Sequence, residues 1–371
     1  MSTPGPIPVD ASRHPTPAES DAAARGLRGW LLSAAVQLRD GPHTGGVIGA
    51  LDAAGRPRYV YPEITGYYLH WLAEAKTAIG DGPAGEAAQR AACWTLRQFA
   101  DGGLPATRAY LAEAEPDWRN AAAFFFDFAM LVRGLGAACE AGLIETADAP
   151  FARLVEELTA FVAADGELRA ARRLDSSVEL PGRWSTLGGP FLVKASSRVA
   201  LAARHHPLPD ALAQACDALA AHHAASAGAI ELDMLHPTLY FAEGLLVAQP
   251  QAAAKIAVLL NRCLALQKPD GSLPEAEHGS DVPRNDIVAQ ALRVGLLLRA
   301  AGVPGAPTDL ALDRLAGALI ARLDAQGRLA FRNDVSAPQP NAWCAMFAEQ
   351  ALRWHARWRR GERLPEAEWL V

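Results

Sequence analysis

The feature that most constrains the fold of this chain is a short turn that recurs along it. The turn combines Asp with Gly and usually continues into Leu. Its copies begin at Asp52, Asp101, Asp165, Asp270 and Asp324, and a degenerate copy begins at Ser226. Gly takes the left-handed backbone conformation that often ends a helix, and Asp accepts hydrogen bonds from the amides of the turn. Six copies at intervals of roughly 45 to 65 residues therefore indicate an internal repeat.

Each repeat contains two apolar helical patterns, one before the turn and one after it. The patterns before the turns cover residues 22–38, 85–100, 150–163, 210–225, 251–267 and 309–323. The patterns after the turns cover residues 65–79, 120–139, 189–204, 237–248, 284–301 and 341–359. The second set is apolar on nearly every face, which is typical of helices surrounded by protein. Six such hairpins predict an all-α fold, an (α/α)6 toroid with the second set as its inner ring; an open helical solenoid is the alternative.

Composition narrows the class of protein. The chain has 371 residues and a formal net charge of −6. We expect residues 1–21, which are rich in Pro and Ser and lack the apolar stretch of a signal peptide, to be a flexible segment. We expect residues 22–371 to form one toroid domain. No apolar run reaches the roughly 18 residues that span a bilayer, so no membrane span is predicted.

Charge and cysteine usage predict a cytoplasmic protein that acts on a small molecule. Positive charge is concentrated only in residues 353–363, interpreted as a solvated last helical turn. The body of the chain lacks the basic footprint of a nucleic-acid-binding protein. The five scattered cysteines suggest buried free thiols in a reducing compartment. No metal-ligand spacing and no phosphate-binding glycine loop stands out, so we predict no metal and no cofactor.

The hairpin pattern resembles the (α/α)6 toroids: the six-hairpin glycosidases, the N-acylglucosamine 2-epimerase family and the terpenoid cyclase/protein prenyltransferase fold. The stretch LALQKPDGSL resembles the Gln-Trp repeat of terpenoid cyclases through Gln267, Asp270 and Gly271, with Leu273 in place of the Trp. The acidic motifs of those cyclases, Asp-x-Asp-Asp and Asp-Asp-x-x-Asp, do not occur. The stretches GGVIGALD and YPEITGY resemble uncharacterised bacterial six-hairpin proteins linked to polysaccharide biosynthesis. The resemblance implies the fold from about Ala22 onward, and fold alone does not imply function.

In a closed toroid, the starts of the inner helices and the links before them line one funnel. Aromatic and polar residues concentrate there, which suits sugars, because sugars need flat faces for C–H surfaces and paired donors and acceptors for hydroxyls. The predicted catalytic residues are Glu63, Asp127, Asp233, His236 and Asp286. The predicted substrate-binding residues are Tyr61, Tyr67, His70, Trp184, Lys194, Tyr240, Arg284, Asn341 and Trp343. The same links also carry Trp118, Arg119, Arg183 and Glu275.

Several of these residues have a structural alternative. Glu63 and Asp286 also suit the negative charge favoured at a helix start. Asp127, flanked by phenylalanines, suits a proton donor with a raised pKa or a paired buried carboxylate. Lys194, alone in an apolar helix, suits a charged ligand or a buried salt bridge. N-acylglucosamine 2-epimerases use paired histidines at such helix starts, and here only His236 is in place, with His278 as a substitute for the second.

These residues predict a carbohydrate-active enzyme, a hydrolase, lyase or epimerase that acts on a small saccharide or oligosaccharide in polysaccharide biosynthesis. Hydrolysis calls for two carboxylates roughly 5 to 9.5 Å apart. Epimerisation and elimination call for a base beside a carbon acid, such as His236, Tyr67 or Tyr240. Two other hypotheses remain: an isoprenoid-binding or cyclase-like enzyme, and a non-catalytic sugar-binding or scaffold toroid.

Overall fold

The computed structural model describes residues 14–52, 54–99, 107–111, 118–145, 148–333, 335 and 338–371. Helices α1 to α14 of this part of the chain span Pro17–Leu31, Pro62–Glu74, Lys76–Ile79, Asp81–Phe99, Phe125–Glu140, Asp148–Thr159, Trp184–Leu187, Leu192–Ala202, Asp210–Ala225, Leu235–Ala248, Ala253–Leu264, Asn285–Ala300, Asp309–Ala321 and Ala342–Arg359. Short strands β1 to β4 span Tyr59–Val60, Ala109–Tyr110, Ala122–Phe124 and Ala171–Arg173.

Six helices form a closed inner ring. In chain order, α2, α5, α8, α10, α12 and α14 each contact the next, and α14 packs back against α2. Helices α1, α4, α6, α9, α11 and α13 lie outside this ring. The contact between the sixth and first inner helices leaves no open end, so the predicted (α/α)6 toroid is confirmed and the open solenoid is wrong.

Glycines allow the inner helices to approach closely. A Cβ atom added at Gly66 of α2 would lie 2.5 Å from the main chain of Met130, and one added at Gly134 of α5 would lie 2.2 Å from the oxygen of Gly66. Between the next pair of inner helices, a Cβ at Gly244 of α10 would lie 2.2 Å from the amide nitrogen of Lys194 of α8. Only glycine permits such backbone contacts.

The recurring turn forms the predicted hydrogen bonds and has the predicted glycine conformation. In each described Asp copy, the carboxylate accepts a hydrogen bond from the amide two residues later. These donors are Ala54 to Asp52, Glu167 to Asp165, Ser272 to Asp270 and Gln326 to Asp324. The following glycines have φ angles between 71° and 83°: Gly55, Gly166, Gly271 and Gly327. The copy at Asp101 lies outside the described residues.

Two boundaries differ from the sequence prediction. Helix α1 begins at Pro17 rather than near residue 22, because Thr16 and Glu19 form a capping box: the Thr16 hydroxyl accepts from the Glu19 amide at 3.2 Å, and the Glu19 carboxylate accepts from the Thr16 amide at 2.8 Å. The predicted flexible segment 1–21 therefore extends into a helix at its end, and its residues 1–13 lie outside the described residues. The pattern 65–79 is divided between α2 and the short α3.

Two other sequence interpretations need correction. The cysteines carry free thiols as predicted, but Cys93 of the outer helix α4 is exposed, and Cys139 in the last turn of α5 is half-buried. Arg353 of the basic run is not solvated; it is buried and paired with Glu74 and with Glu349, whose Oε1 lies 3.0 Å from the Arg353 Nε. Among the described residues, no helix has both the length and the apolar character that crossing a membrane requires.

Short strands orient the starts of the inner helices. Strand β1 pairs with β2, and β3 pairs with β4, both antiparallel. Strand β1 ends immediately before Tyr61, which precedes α2, and β3 ends at Phe124, which precedes α5. A bridge between Ala50 and Asn341 joins the links of the first and last repeats. These pairings hold the links together at the face where the inner helices begin.

Candidate active site

A pocket of about 460 Å³ opens at the face where the inner helices begin. Eight of the residues predicted from the sequence line it: Tyr61, Glu63, Asp127, Trp184, His236, Tyr240, Arg284 and Trp343. The lining combines aromatic rings with both acidic and basic side chains. This face of the ring is therefore where the predicted site residues meet.

Two carboxyl groups meet at the Tyr61 hydroxyl. Tyr61 donates a long hydrogen bond of 3.4 Å to Asp127 Oδ1 and also forms a hydrogen bond with Glu63. Burial raises the pKa of Glu63 to about 7. Burial and the charge of Glu63 raise the pKa of Asp127 well above its usual value. The two carboxyls therefore hold a proton near neutral pH, as expected of close acids in an apolar setting.

His236 supplies a proton acceptor in the same pocket. Its Nδ1 lies 3.2 Å from Asp286 Oδ2 and 2.8 Å from Gln290 Oε1. The ionised Asp286 carboxylate can only accept, so Nδ1 carries the hydrogen and Nε2 is the acceptor. Burial lowers the pKa of His236 to about 4, which keeps the imidazole neutral at neutral pH.

Asp286 lies behind His236 and does not line the pocket. Arg284 holds it through two contacts, Nε to Oδ1 at 3.1 Å and Nη2 to Oδ2 at 2.6 Å. Burial alone would raise the pKa of Asp286, but Arg284 and His236 outweigh burial and lower it. Asp286 therefore stays ionised and orients the imidazole, as carboxylates behind catalytic histidines do.

Aromatic rings form the floor of the pocket. Tyr240 lines the pocket, and its ring lies 4.9 Å from that of Phe126 and 4.2 Å from that of His236. Below, the Lys194 ammonium lies 4.9 Å from the ring of Tyr67, 4.5 Å from that of Tyr240 and 5.0 Å from that of Phe347. Lys194 itself does not line the pocket.

A buried ionic cluster lies beneath this floor. Glu243 Oε2 is 2.6 Å from Lys194 Nζ, and Glu243 Oε1 is 2.5 Å from Arg293 Nη2, with all three side chains fully buried. The oxygen of Val371 accepts from both cations, at 3.2 Å from Lys194 and 2.6 Å from Arg293. Of the two structural alternatives for Lys194, the geometry shows the buried salt bridge.

The other predicted residues lie outside the pocket lining. Asp233 is exposed in the link before α10. Asn341 caps α14, where its side chain accepts from the Cys344 amide at 3.0 Å. Tyr67 and His70 are buried deeper along α2, and the His70 ring lies 5.9 Å from that of Trp369. His278 is exposed and does not line the pocket.

Sequence reasoning missed several lining residues, among them Thr107, Arg108 and Phe331. Arg108 lies in the link after the second turn, with its guanidinium carbon 4.7 Å from the ring of Tyr59. Its place depends on the two-residue pairing of β1 with β2, which is too short to leave a sequence signal. Among the described residues, no group of three or more His, Cys, Asp and Glu side chains could hold a metal ion.

No protein-family model matches the chain, and no curated protein is similar to it in sequence. Solved structures are similar over nearly its whole length. A sugar epimerase from a ruminal bacterium has a TM-score of 0.67 at 11% identity, over 94% of this chain and 100% of the other. A D-mannose isomerase has a TM-score of 0.68 at 12% identity, over 96% and 100%.

An unsaturated glucuronyl hydrolase specific for heparin is also similar, with a TM-score of 0.64 at 11% identity, over 93% of this chain and 97% of the other. Identities this low show a common fold and leave the reaction open. The chain therefore shares its (α/α)6 toroid fold with these solved structures.

Proposed function

We propose that the protein is a carbohydrate-active enzyme that isomerises or epimerises a saccharide by proton transfer. The observation that carries the proposal is a complementary pair of groups in one pocket. His236 is neutral with Nε2 as its acceptor, while Glu63 and Asp127 hold a proton at Tyr61. A base and an acid that are both in the required state at neutral pH suit general acid–base catalysis.

The chemistry follows from these protonation states. His236 Nε2 takes the proton from the carbon beside the sugar carbonyl, and the electron pair of that C–H bond forms an enediol as the carbonyl oxygen takes a proton from the Glu63–Asp127 pair. The imidazolium of His236 then protonates the neighbouring carbon while the hydroxyl of the first carbon returns a proton to the ionised carboxyl pair, which gives an isomer. Protonation of the first carbon by solvent from the opposite face gives an epimer, with the carbonyl-derived hydroxyl returning its proton to the carboxyl pair and His236 releasing its proton to solvent. Asp286 stabilises the imidazolium that forms, since its charge favours the protonated ring.

Two further observations support a saccharide. Trp118, Trp184, Trp343 and Phe331 line the pocket with flat apolar faces, and charged side chains lie between them. Two of the similar solved structures are a sugar epimerase and a mannose isomerase. The carboxyl pair and the arginines of the lining argue against the isoprenoid hypothesis, because a pocket for an isoprenoid needs few charges. A cytoplasmic location and a role in polysaccharide biosynthesis remain predictions.

Hydrolysis is the second candidate. It is favoured by one observation, the two carboxyl groups of Glu63 and Asp127 at one wall of the pocket, of which one can donate a proton to a glycosidic oxygen. Both hypotheses use this acid pair, but only proton transfer at carbon also uses His236. The non-catalytic toroid is the third hypothesis.

A product screen by NMR separates the three hypotheses. Aldoses, ketoses, uronates and disaccharides are incubated with the protein, and their spectra are followed over time. We expect a second sugar of the same composition to appear, without new reducing ends. New reducing ends would support hydrolysis, and saturable binding with unchanged spectra would support the non-catalytic toroid.

The acid pair predicts the pH dependence of turnover. A raised carboxyl pKa means that the protonated form prevails below about 7 and is lost above it, so kcat is expected to fall as pH rises through that value. Tyr61→Phe removes a hydrogen bond that lowers the pKa of both carboxyls, so the fall should move to higher pH.

Tyr68→Phe is the matched control, because the Tyr68 hydroxyl donates to the Leu31 oxygen at 3.1 Å, away from the pocket. It should leave the pH profile of kcat unchanged. A profile that stays flat across neutral pH, or a fall that moves to lower pH in Tyr61→Phe, would contradict the assignment of the acid.

A further inference from the structure

A second side chain of α12 contacts His236. Gln290 lies four residues after Asp286, so the two side chains lie on the same face of the helix, one turn apart. Helix α10, which carries His236, packs against α12. Gln290 Oε1 is 2.8 Å from His236 Nδ1, closer than Asp286 Oδ2 at 3.2 Å. The hydrogen on Nδ1 is therefore shared between an amide oxygen and a carboxylate oxygen.

Only one end of the Gln290 amide has a partner. Gln290 is fully buried, and within the described part of the chain its Nε2 has no hydrogen-bond partner. Rotating the amide would not correct this, because Nε2 would then meet the hydrogen that His236 carries on Nδ1, donor against donor. A buried donor without a partner lowers stability, and proteins retain such groups mainly at functional sites. The unpartnered nitrogen thus indicates that Gln290 serves the site rather than the fold.

A neighbouring inner helix carries a buried glutamine with both ends of its amide paired. Gln350 of α14 is also fully buried. Its Oε1 accepts from Arg293 Nη1 at 3.0 Å and from the Val371 amide at 3.1 Å, and its Nε2 donates to the Trp369 oxygen at 2.8 Å. Gln350 therefore links α14 to α12 and to residues 369–371, and it provides a control for a glutamine that supports structure.

Charged or titratable side chains surround the imidazole. They are Asp286 and Arg284 at the start of α12, Lys194 of α8, Tyr240 of α10 itself and, in the same pocket, Glu63 and Asp127. Burial and the two cations favour the neutral ring, whereas Asp286 and the hydrogen bond of Gln290 favour the protonated ring. An amide as the second acceptor holds the ring without adding another negative charge.

We propose that Gln290 is a positioning residue for the base: its side-chain oxygen, together with Asp286, holds the Nδ1 hydrogen of His236, so that Nε2 faces the sugar. This inference rests on the proposed function in taking His236 as the base that removes a carbon-bound proton. The partner of one ring nitrogen decides which tautomer a histidine adopts and how the ring is oriented. Gln290 does not line the pocket, so it acts through His236 and does not touch the sugar.

The Gln290→Met variant separates a positioning role from a structural one. It keeps the length of the side chain and removes both ends of the amide. We expect kcat to fall by up to about 10²-fold, the loss that a misplaced reacting group can cause, and KM to stay unchanged. The unfolding temperature should equal or exceed that of the unmodified protein, because the unpartnered donor is removed as well. Turnover is followed by NMR with the sugar found by the product screen.

Gln350→Met is the matched control. It should lower the unfolding temperature, because it leaves the Arg293, Val371 and Trp369 groups without their partner, and it should leave the pH profile of kcat/KM unchanged. Full turnover in Gln290→Met would overturn the inference. So would an unfolding temperature that falls in Gln290→Met as it does in Gln350→Met.

The Gln290→Glu variant gives a second readout. It keeps the acceptor oxygen and adds a negative charge beside His236, which is expected to raise the pKa of the imidazole by about one to three units. His236 would then stay protonated to higher pH, so the acid limb of kcat/KM should move to higher pH by the same amount. Titration of His236, followed through its ¹⁵N resonances and assigned with His236→Asn, measures the shift without any turnover.

The two readouts distinguish failure of this inference from failure of the proposed function. If sugar is converted and His236 titrates alike in the unmodified protein and in Gln290→Glu, the inference fails and the proposed function stands. If the titration moves as expected but the unmodified protein converts no sugar, the contact with His236 stands and the proposed function fails, and with it the role of Gln290 in the reaction.

Discussion

The His236→Asn variant is expected to lower kcat/KM by about 10²- to 10⁴-fold, the range typical of a lost general base. The Asn side chain keeps a donor that can reach Asp286, where the His236 Nδ1 now lies 3.2 Å away. It has no atom at the position of Nε2. The variant therefore removes the proposed proton acceptor and preserves the buried contact behind it. The rate of isomerisation is measured by NMR at saturating and at low sugar concentration.

His278→Asn is the matched control, because His278 is exposed in a link at the same face and does not line the pocket. It should turn over sugar at the normal rate. The thermal unfolding of His236→Asn should resemble that of the unmodified protein, which would show that the fold is retained. A folded His236→Asn protein with nearly full activity would rule out His236 as the base.

The Glu243→Gln variant is expected to lower the free energy of unfolding by about 3–5 kcal/mol, as is usual when one partner of a buried ion pair is removed. Glu243 lies 2.6 Å from Lys194 and 2.5 Å from Arg293, all three fully buried, so the change leaves two cations without their carboxylate. Burial already lowers the pKa of Lys194 to about 7, so Lys194 is expected to lose its proton in the variant. Denaturant unfolding measures the effect.

Glu156→Gln removes a carboxylate that is 69% exposed and lies 2.9 Å from Arg153. It should change stability by less than about 1 kcal/mol. Adding Lys194→Met to Glu243→Gln replaces the buried amine that has lost its carboxylate partner by an apolar side chain and should restore part of the loss. Equal stability of Glu243→Gln and Glu156→Gln would show that the cluster does not support the ring.

The fold could be predicted because its signal is repeated. Each Asp-Gly turn is a weak feature alone, but the apolar patterns on either side recur with it, and Asp210–Ala225 matches its predicted range at both ends. The predicted start of a helix was wrong where a capping box sets it, as at Thr16. The residues of that box lie outside the apolar pattern on which the prediction was based. The short strands were missed because two or three residues carry no periodicity.

Site residues could be predicted where their position at the start of an inner helix is enough to place them at the pocket. Glu63, Asp127 and His236 lie in the first turns of inner helices, and these turns all point to one face. Depth was harder to predict: with a rise of about 1.5 Å per residue, His70 lies on the order of 10 Å farther along α2 than Glu63. In the third repeat, the short helix Trp184–Leu187 lies at the pocket ahead of α8. Lys194 therefore lies beneath the aromatic floor of the pocket, although it is near the start of α8.

The measurement that tests the central claim most directly is the incorporation of solvent deuterium into the sugar. The sugar found by the product screen is incubated with the protein in D₂O, and the carbon-bound protons are followed by NMR. We predict deuterium at the carbon next to the carbonyl, at a rate that falls in parallel with turnover in His236→Asn. Conversion or cleavage of the sugar with every carbon-bound proton retained would contradict solvent-exchanging proton transfer through His236.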